Sequence, residues 1–242
     1  MAKARGRTKS EEPRRLPRGR HALNPEQVRE DQRRRLVDAV PGVAAAHGYE
    51  AMSVADIVRA AAVSRNAFYD NFGSKQECFA AAHEACHERL LAVLEERCER
   101  GMSVEERVET ALGAALALLA AEPAVGRLLF VEAPGAGRDV ALRYYDWLRR
   151  YGTLLRSAVP GAAEKSSLAV EIDQVIVGGI ASRVASELLQ GQAGRLRVLT
   201  PHLLDYVLAF YGTEPEARAE DVPAGAGSRD VAAAASRRRR AG

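Results

Sequence analysis

Apolar residues recur every three or four positions along most of the chain after Asn24, the spacing that places them on one face of an α-helix. Gly, Pro and Ser occur between these segments, at points where helices begin or end. Ala and Leu are abundant, β-branched runs are short and only 5% of the residues are aromatic, a balance that favours helices over sheets. The pattern predicts an all-α protein.

The first predicted helices are closely spaced. Asn24, followed by Pro and Glu, is typical of a helix start, and the helix extends to Gly48. Pro41 lies inside it and should kink it, because proline removes one backbone hydrogen bond. Ser53 and Ser64 then cap two short helices separated by a two-residue break. This arrangement predicts a helix-turn-helix.

Longer helical segments follow. Two helices are predicted over about 75–100 and 103–121. The chain restarts at Pro123, breaks again at Pro134-Gly135-Ala136-Gly137, and then forms a helix that ends at Val159. The last two helices are predicted over about 166–190 and 194–211. We therefore divide the chain into a basic arm without order (1–23), a helix-turn-helix domain (24–74), a helical ligand-binding and dimerisation domain (75–212) and a tail without order (213–242).

The penultimate predicted helix carries a stripe of small residues that would let another helix approach closely. The stripe consists of Gly178, Gly179, Ala181, Ser182 and Ala185. A four-helix bundle formed by the last two helices of two subunits is the solution we favour, which predicts a homodimer. Packing of the same stripe within one subunit is the alternative.

The charge distribution is uneven, although the 242 residues carry a net charge of only +3. Basic residues crowd the first twenty positions, and Arg237–Arg240 form a second run near the end. Such runs are either solvated tails or segments attracted to nucleic-acid phosphates. No apolar stretch reaches the roughly 20 residues that cross a bilayer, so no membrane partner and a cytoplasmic location are expected. The three cysteines show no close pairing, which favours reduced thiols.

The third predicted helix has the chemistry of a DNA-recognition helix. Phe68 and Phe72 can face the core, and this leaves the polar residues Arg65, Asn66, Tyr69 and Asn71 to reach outward. Arginine pairs well with guanine and asparagine with adenine, while tyrosine hydroxyls and lysine ammoniums commonly hold phosphates. The pattern indicates binding in the major groove of double-stranded DNA.

About fifty residues in this region resemble the DNA-binding domain of the tetracycline-repressor (TetR) family. The resemblance is carried by Gly48-Tyr49, Ser53-Val54-Ala55-Asp56-Ile57, Ala62-Val63-Ser64, Phe68-Tyr69, Asn71-Phe72 and Ser74-Lys75. It implies a homodimeric repressor that binds a near-palindromic operator and releases it on binding a small effector, with no cofactor.

The resemblance also implies roles for single residues. Ser53 and Lys75 would contact backbone phosphates, Tyr69 would brace another phosphate, and the residues nearest base edges would be Arg65, Asn66, Ala67 and Asn71. The chain departs from the family at three positions: Ala62 replaces the usual Gly, Asn71 replaces the usual His, and Pro41 is unusual.

A second motif points to different chemistry. His83-Glu84-Ala85-Cys86-His87 matches H-E-x-x-H, which binds zinc through two imidazoles on one helix face while the glutamate acts as a base. The alternatives are a zinc hydrolase, a metal or redox sensor through His83, Cys86 and His87, and a chance match in a packed helix. The other histidines show no third-ligand spacing, so we favour the last and predict no metal.

The middle helices are expected to enclose a mainly apolar effector cavity. Its candidate lining residues are aromatic or imidazole side chains with polar tips: His83, His87, Phe130, Tyr144, Trp147 and Tyr151. No nucleophile elbow, phosphate-binding loop or dinucleotide fingerprint is present in the sequence, so no enzymatic activity is expected.

Overall fold

A computed structural model describes residues 24–96, 102–159 and 169–211, and within them every regular element is helical. The helices are α1 (Pro25–Ala51), α2 (Val54–Ala61), α3 (Arg65–Asn71), α4 (Lys75–Glu96), α5 (Val104–Ala121), α6 (Pro123–Arg127), α7 (Arg138–Ala158), α8 (Ala169–Leu189) and α9 (Thr200–Tyr211). A π-helical turn, Leu128–Glu132, and a 3₁₀ turn, Ala133–Gly135, follow α6, and a 3₁₀ segment, Ala193–Leu199, precedes α9. The all-α prediction is confirmed. The predicted arm, the predicted tail and Cys98 lie outside the described residues.

Helix α1 begins where its sequence predicts. The side chain of Asn24 accepts a hydrogen bond from the backbone N–H of Glu26 at 3.2 Å, and proline occupies the first turn. Pro41 is buried and keeps helical dihedral angles, so the helical backbone continues through it. The helix is interrupted at Gly48 (φ 76°, ψ 158°), where the sequence predicts its end, in a backbone conformation that favours glycine.

The helix-turn-helix is built from two capped helices. Ser53 and Asp56 form a capping box at the start of α2, and the Ser64 hydroxyl caps α3 by accepting from the N–H of Ala67 at 3.1 Å. Ala62 ends α2 in the left-handed region, with φ 52° and ψ 46°. It is the one non-glycine residue with positive φ in the described part of the chain. The turn therefore keeps the geometry that glycine would give it, at some cost in strain.

One apolar core extends from the helix-turn-helix into the C-terminal helices. Leu36, Ile57, Phe68 and Phe72 are buried where α1, α2 and α3 meet. Helix α4 continues the core through Phe79, and its buried face then packs against α5 and α7. The opposite side of α1 packs on α6 and the π-helical turn, so the predicted DNA-binding domain rests directly on the larger domain.

A buried carboxylate ties the last long helices together. Asp173 on α8 is 1% exposed and forms an ion pair with Arg156 of α7. Its second oxygen accepts a hydrogen bond from the Tyr211 hydroxyl of α9 at 2.5 Å. Because a buried charge is tolerated when it is paired and hydrogen-bonded, this contact fixes how α7, α8 and α9 meet.

The small-residue stripe of α8 is divided between two surfaces. A Cβ atom on Gly179 would lie 2.6 Å from the Tyr206 hydroxyl of α9, and Ala181 is buried in the core. Gly178 has no heavy atom within 4 Å of its Cβ position, and Ser182 is exposed. Part of the stripe therefore packs within the subunit, and part of it faces outward.

In the described ranges, no single helix is both long enough and apolar enough to cross a membrane. Only α5 joined with the segment Pro123–Gly135 reaches that length and hydropathy, and these two are bent by 106° at their junction.

Candidate functional site

Helix α3 presents a polar surface on one side and a buried surface on the other. Arg65, Asn66 and Tyr69 are exposed, and half of the Tyr69 side chain is accessible to solvent. Ala67, which the resemblance places among the residues nearest base edges, is only 5% exposed and packs inward beside Phe68. Its side chain therefore does not belong to the outward set.

Asn71 lies at the end of this surface. Its side-chain Nδ2 donates to the carbonyl of Ala67 at 2.8 Å, one turn earlier in α3, and the residue is half-buried. The side-chain oxygen and the second Nδ2 proton remain as the groups that Asn71 can offer to a partner.

Three arginines of α1 donate to carbonyls at the C-terminal ends of α2 and α3. Arg29 donates to the carbonyl of Asp70 at 2.5 Å, and Arg33 donates to the carbonyl of Asn71 at 3.3 Å. Arg35 donates to the carbonyl of Ala62 at 2.7 Å, where α2 ends. Guanidinium groups at helix C-termini satisfy free carbonyls and complement the helix dipole.

Ser53 and Lys75 already have partners within the protein. The Ser53 hydroxyl lies 2.6 Å from a carboxylate oxygen of Asp56 and remains exposed. The Lys75 ammonium donates to the carbonyls of Tyr49 at 2.9 Å, Glu50 at 3.3 Å and Met52 at 3.1 Å. These bonds use all three ammonium protons, and they explain why a lysine begins α4 despite the unfavourable helix dipole. A phosphate contact by Lys75 would require exchange of one of these bonds.

A largely apolar cavity of about 340 Å³ lies between α4, α5, α7 and α8. Of the six side chains predicted to line it, Phe130 and Tyr151 do so. His83, His87, Tyr144 and Trp147 are buried elsewhere, because they pack α4 and α7 against each other or against the core. Most of the wall is aliphatic and comes from α5 and α8.

Sequence reasoning missed one lining residue with distinctive chemistry, Arg107 of α5. Its Nη2 donates to the carbonyl of Ala158 at 2.9 Å, and its Nε is buried without a hydrogen-bond partner. The available indication was an arginine at the start of the apolar stripe Val108, Leu112, Ala115, Leu119. That position predicts nothing until the partner helices are known.

The H-E-x-x-H side chains pack in the interface between α4 and α7. Nε2 of His83 and Nε2 of His87 are 3.0 Å apart, and the Glu84 carboxylate accepts from the Trp147 indole N–H at 3.0 Å. Burial lowers the pKa of His83 to about 4 and that of His87 to about 2, so both imidazoles are neutral at pH 7. In the described ranges, no three His, Cys, Asp or Glu side chains are grouped closely enough to hold a metal. The hydrolase and metal-sensing interpretations gain no support.

The redox interpretation of this motif depends on Cys86. Burial raises the pKa of its thiol to about 11, so the thiol is protonated near neutral pH. Because the thiolate is the reactive form of cysteine, Cys86 is poorly suited to oxidant sensing.

Comparison with known proteins covers both parts of the chain. The sequence profile of the family described as bacterial regulatory proteins, tetR family, matches residues 37–82. These residues run from the middle of α1 to the first third of α4 and include the whole helix-turn-helix. No curated protein sequence matches the chain.

Several solved structures share the fold. The fatty acid degradation regulator FadR from Bacillus halodurans has a TM-score of 0.64 and 21% identity, over 73% of this chain and 94% of that one. FadR from Bacillus subtilis, in complex with stearoyl-CoA, has a TM-score of 0.65 and 19% identity, over 73% and 98%. A TetR-like regulator from Rhodococcus sp. RHA1 has a TM-score of 0.59 and 22% identity, over 81% and 99%. At these identities the structures establish a common fold.

The sequence match falls on the helix-turn-helix, and the remaining helices share the fold of the solved regulators. The helix-turn-helix region is therefore similar to that of the tetR family of bacterial regulatory proteins, and the chain shares its fold with the FadR and TetR-like regulators.

Proposed function

We propose that this protein is a homodimeric repressor that binds a near-palindromic operator through α3 and releases it when a small molecule occupies the cavity. The observation that carries the proposal is the exposed row Arg65, Asn66 and Tyr69 on a helix whose other face is buried and whose carbonyl end is held by arginines of α1. A rigidly held helix with a polar outer face is what major-groove recognition requires.

The chemistry of this row suggests a division of roles. Arg65 and Asn66 lie in the first turn of α3, the part of a recognition helix that meets base edges. Arg65 would recognise guanine and Asn66 adenine, and the Tyr69 hydroxyl would donate to a phosphate. Ser53, at the start of α2, is placed to contact the neighbouring backbone if its hydroxyl turns away from Asp56.

The dimer would form through the outward faces of α8 and α9. These helices are antiparallel, because Gly179 lies against Tyr206 while Asp173 bonds Tyr211. Val175 lies one turn before Gly179 on α8, and Phe210 lies one turn after Tyr206 on α9. Their side chains are 59% and 47% exposed.

Exposed apolar side chains beside the open position at Gly178 form a surface that a second copy would cover. Two-fold symmetry would then place two copies of α3 about 34–36 Å apart, one turn of DNA.

The cavity would hold the effector. It is enclosed by four helices and walled mainly by aliphatic side chains, which suits a ligand with an extended apolar body. The Bacillus subtilis FadR solved with stearoyl-CoA supports the view that this fold accepts such a ligand.

The π-helical turn offers a route from the cavity to the DNA-binding helices. Phe130, in the middle of this turn, lines the cavity. Glu132, at its end, accepts a hydrogen bond from the N–H of Tyr49 at 2.9 Å and pairs with Arg127 at 3.2 Å. Movement of Phe130 by a ligand would therefore shift the end of α1, where Lys75 also binds.

Binding of the full-length protein to DNA fragments from upstream of its own gene tests the proposal. We expect tight, salt-sensitive binding that Tyr69→Ala weakens about tenfold, because one charge-assisted contact contributes on the order of 1–3 kcal/mol. Tyr145→Ala, which removes a tyrosine exposed on α7, is the matched control and should bind as the wild type does. Absence of any DNA affinity at low salt would refute the proposal.

A further inference from the structure

The cavity has a basic side chain at one end of an otherwise apolar wall. Arg107 and Glu95 are the charged residues among those that line it. Glu95 is exposed near the end of α4, whereas Nε of Arg107 is buried and has no hydrogen-bond partner. An N–H donor removed from water without an acceptor is unfavourable, so a ligand that supplied an acceptor there would gain binding energy.

A purely structural role accounts for only part of this arginine. Nη2 donates to the carbonyl of Ala158, the last residue of α7, and this contact caps that helix. The cap needs one N–H of the guanidinium and does not require Nε to be buried. Lysine would serve the cap as well, whereas a fork of parallel N–H donors is the property that matches a carboxylate.

The position of Arg107 gives the cavity a direction. Tyr151 lines the cavity and lies seven residues before Ala158 on α7, which corresponds to about 10 Å along the helix. Aliphatic side chains of α5 and α8 line the cavity between Tyr151 and Ala158. A ligand that fills this space has an extended apolar body, and its end nearest Ala158 meets the guanidinium.

We propose that the effector is an anionic amphiphile: its apolar chain fills the cavity between α5, α7 and α8, and its carboxylate or similar anionic group pairs with Arg107. This inference rests on the proposed role of the cavity as the effector site. It adds the charge and the orientation of the ligand, which the apolar wall alone does not give.

Matched probes of the same chain length test the charge requirement. The neutral dye N-phenyl-1-naphthylamine would be bound to the full-length protein and displaced by dodecanoate or by 1-dodecanol at pH 7.5, where the carboxylate is ionised. We expect the wild type to bind dodecanoate about tenfold or more tightly than dodecanol, as a charge-assisted hydrogen bond predicts. Arg107→Met should abolish this preference and leave dodecanol binding unchanged.

Two further variants separate the ligand contact from folding. Arg107→Lys keeps the positive charge without the fork of donors and should retain only part of the preference, and Arg149→Met removes an exposed arginine of α7 and should retain all of it. Helical circular dichroism and DNA binding would establish that each variant is folded. Equal affinity of the wild type for the two probes, or an unchanged preference in Arg107→Met, would overturn the inference while leaving the cavity as a ligand site. If neither the dye nor either probe binds to protein that binds DNA, the effector part of the proposed function fails as well.

Discussion

Nδ1 of His87 lies 2.7 Å from the hydroxyl oxygen of Tyr151 and joins α4 to α7 by a buried hydrogen bond. The His87 ring also stacks on Trp147, with ring centroids 4.8 Å apart and an interplanar angle of 10°. His83 continues the chain of contacts at 3.0 Å, although its own Nδ1 has no partner. The H-E-x-x-H motif is thereby explained as the polar part of a helix–helix interface, one wall of which reaches the cavity through Tyr151.

This buried pair predicts acid sensitivity. Because burial holds the pKa of His83 near 4 and that of His87 near 2, the folded protein keeps both rings neutral while the unfolded chain takes up protons below about pH 6.5. Above pH 6.5 the two histidines are neutral in both states and do not affect the free energy of unfolding. As the pH drops from 6.5 towards 4, only the unfolded chain takes up protons, so the free energy of unfolding should fall. The expected slope is at most about 1.4 kcal/mol per pH unit for each ring.

Urea unfolding at several pH values would measure this slope. His83→Gln removes one of the two rings and should roughly halve the dependence over this range. His202→Gln removes an exposed histidine of α9 and should leave the dependence unchanged. An equal slope in the wild type and His83→Gln would contradict the assignment of the acid response to this pair.

The strained turn after α2 predicts a stabilising substitution. Ala62 adopts φ 52°, which costs an L-residue with a Cβ on the order of 1–2 kcal/mol. Ala62→Gly removes this strain, and the larger entropy of glycine in the unfolded chain offsets about 0.4–1 kcal/mol of the gain. We therefore expect Ala62→Gly to raise the free energy of unfolding by up to about 1.5 kcal/mol.

The neighbouring Ala60 supplies the control for this substitution. It is exposed within α2, where glycine should destabilise the helix by about 0.5–1 kcal/mol. The two glycine variants should thus shift the thermal midpoint in opposite directions. A loss of stability in both would mean that the turn is not strained at Ala62.

Removal of Glu132 should lower the free energy of unfolding by more than the loss of its ion pair with Arg127 alone. Glu132 is mostly buried and also accepts from the N–H of Tyr49, so Glu132→Ala leaves two donors without their acceptor. We expect a loss of about 1–3 kcal/mol in unfolding free energy and faster hydrogen exchange at the Tyr49 amide.

An exposed pair on α7 is the comparison. Asp146 pairs with Arg149, both side chains being 60% exposed, and Asp146→Ala should cost less than about 1 kcal/mol. Glu132→Gln keeps an acceptor for Tyr49 and should restore slow exchange at that amide. Unaltered exchange in Glu132→Ala would show that the Tyr49 amide is protected in another way.

The proposed dimer surface predicts where a charge disrupts assembly. Val175→Asp places a carboxylate on the exposed face of α8 and should produce monomers at micromolar concentration by analytical ultracentrifugation, because an unpaired charge in an apolar interface is strongly unfavourable. Leu142→Asp introduces the same charge at a residue of α7 that is 55% exposed, and this variant should remain dimeric. Dissociation of both variants, or of neither, would move the interface away from α8 and α9.

The sequence alone determined most of the α-helices and the polar outer face of α3. Caps at Asn24, Ser53 and Ser64 and the three-to-four-residue spacing of apolar positions act within one or two turns, so they can be found without knowing the fold. For the same reason, the outward positions of Arg65, Asn66 and Tyr69 followed from the buried positions of Phe68 and Phe72 on a single helix.

Tertiary structure decided which distant groups meet. The carbonyls that bind Lys75 are 23 to 26 residues away from it in sequence, and the histidine motif meets its partner Tyr151 across 64 residues. The burial of Nε of Arg107 depends on where α5 crosses the end of α7. Such contacts are set by the crossing of packed helices, which depends on the whole core rather than on any local pattern, and so only the folded chain shows them.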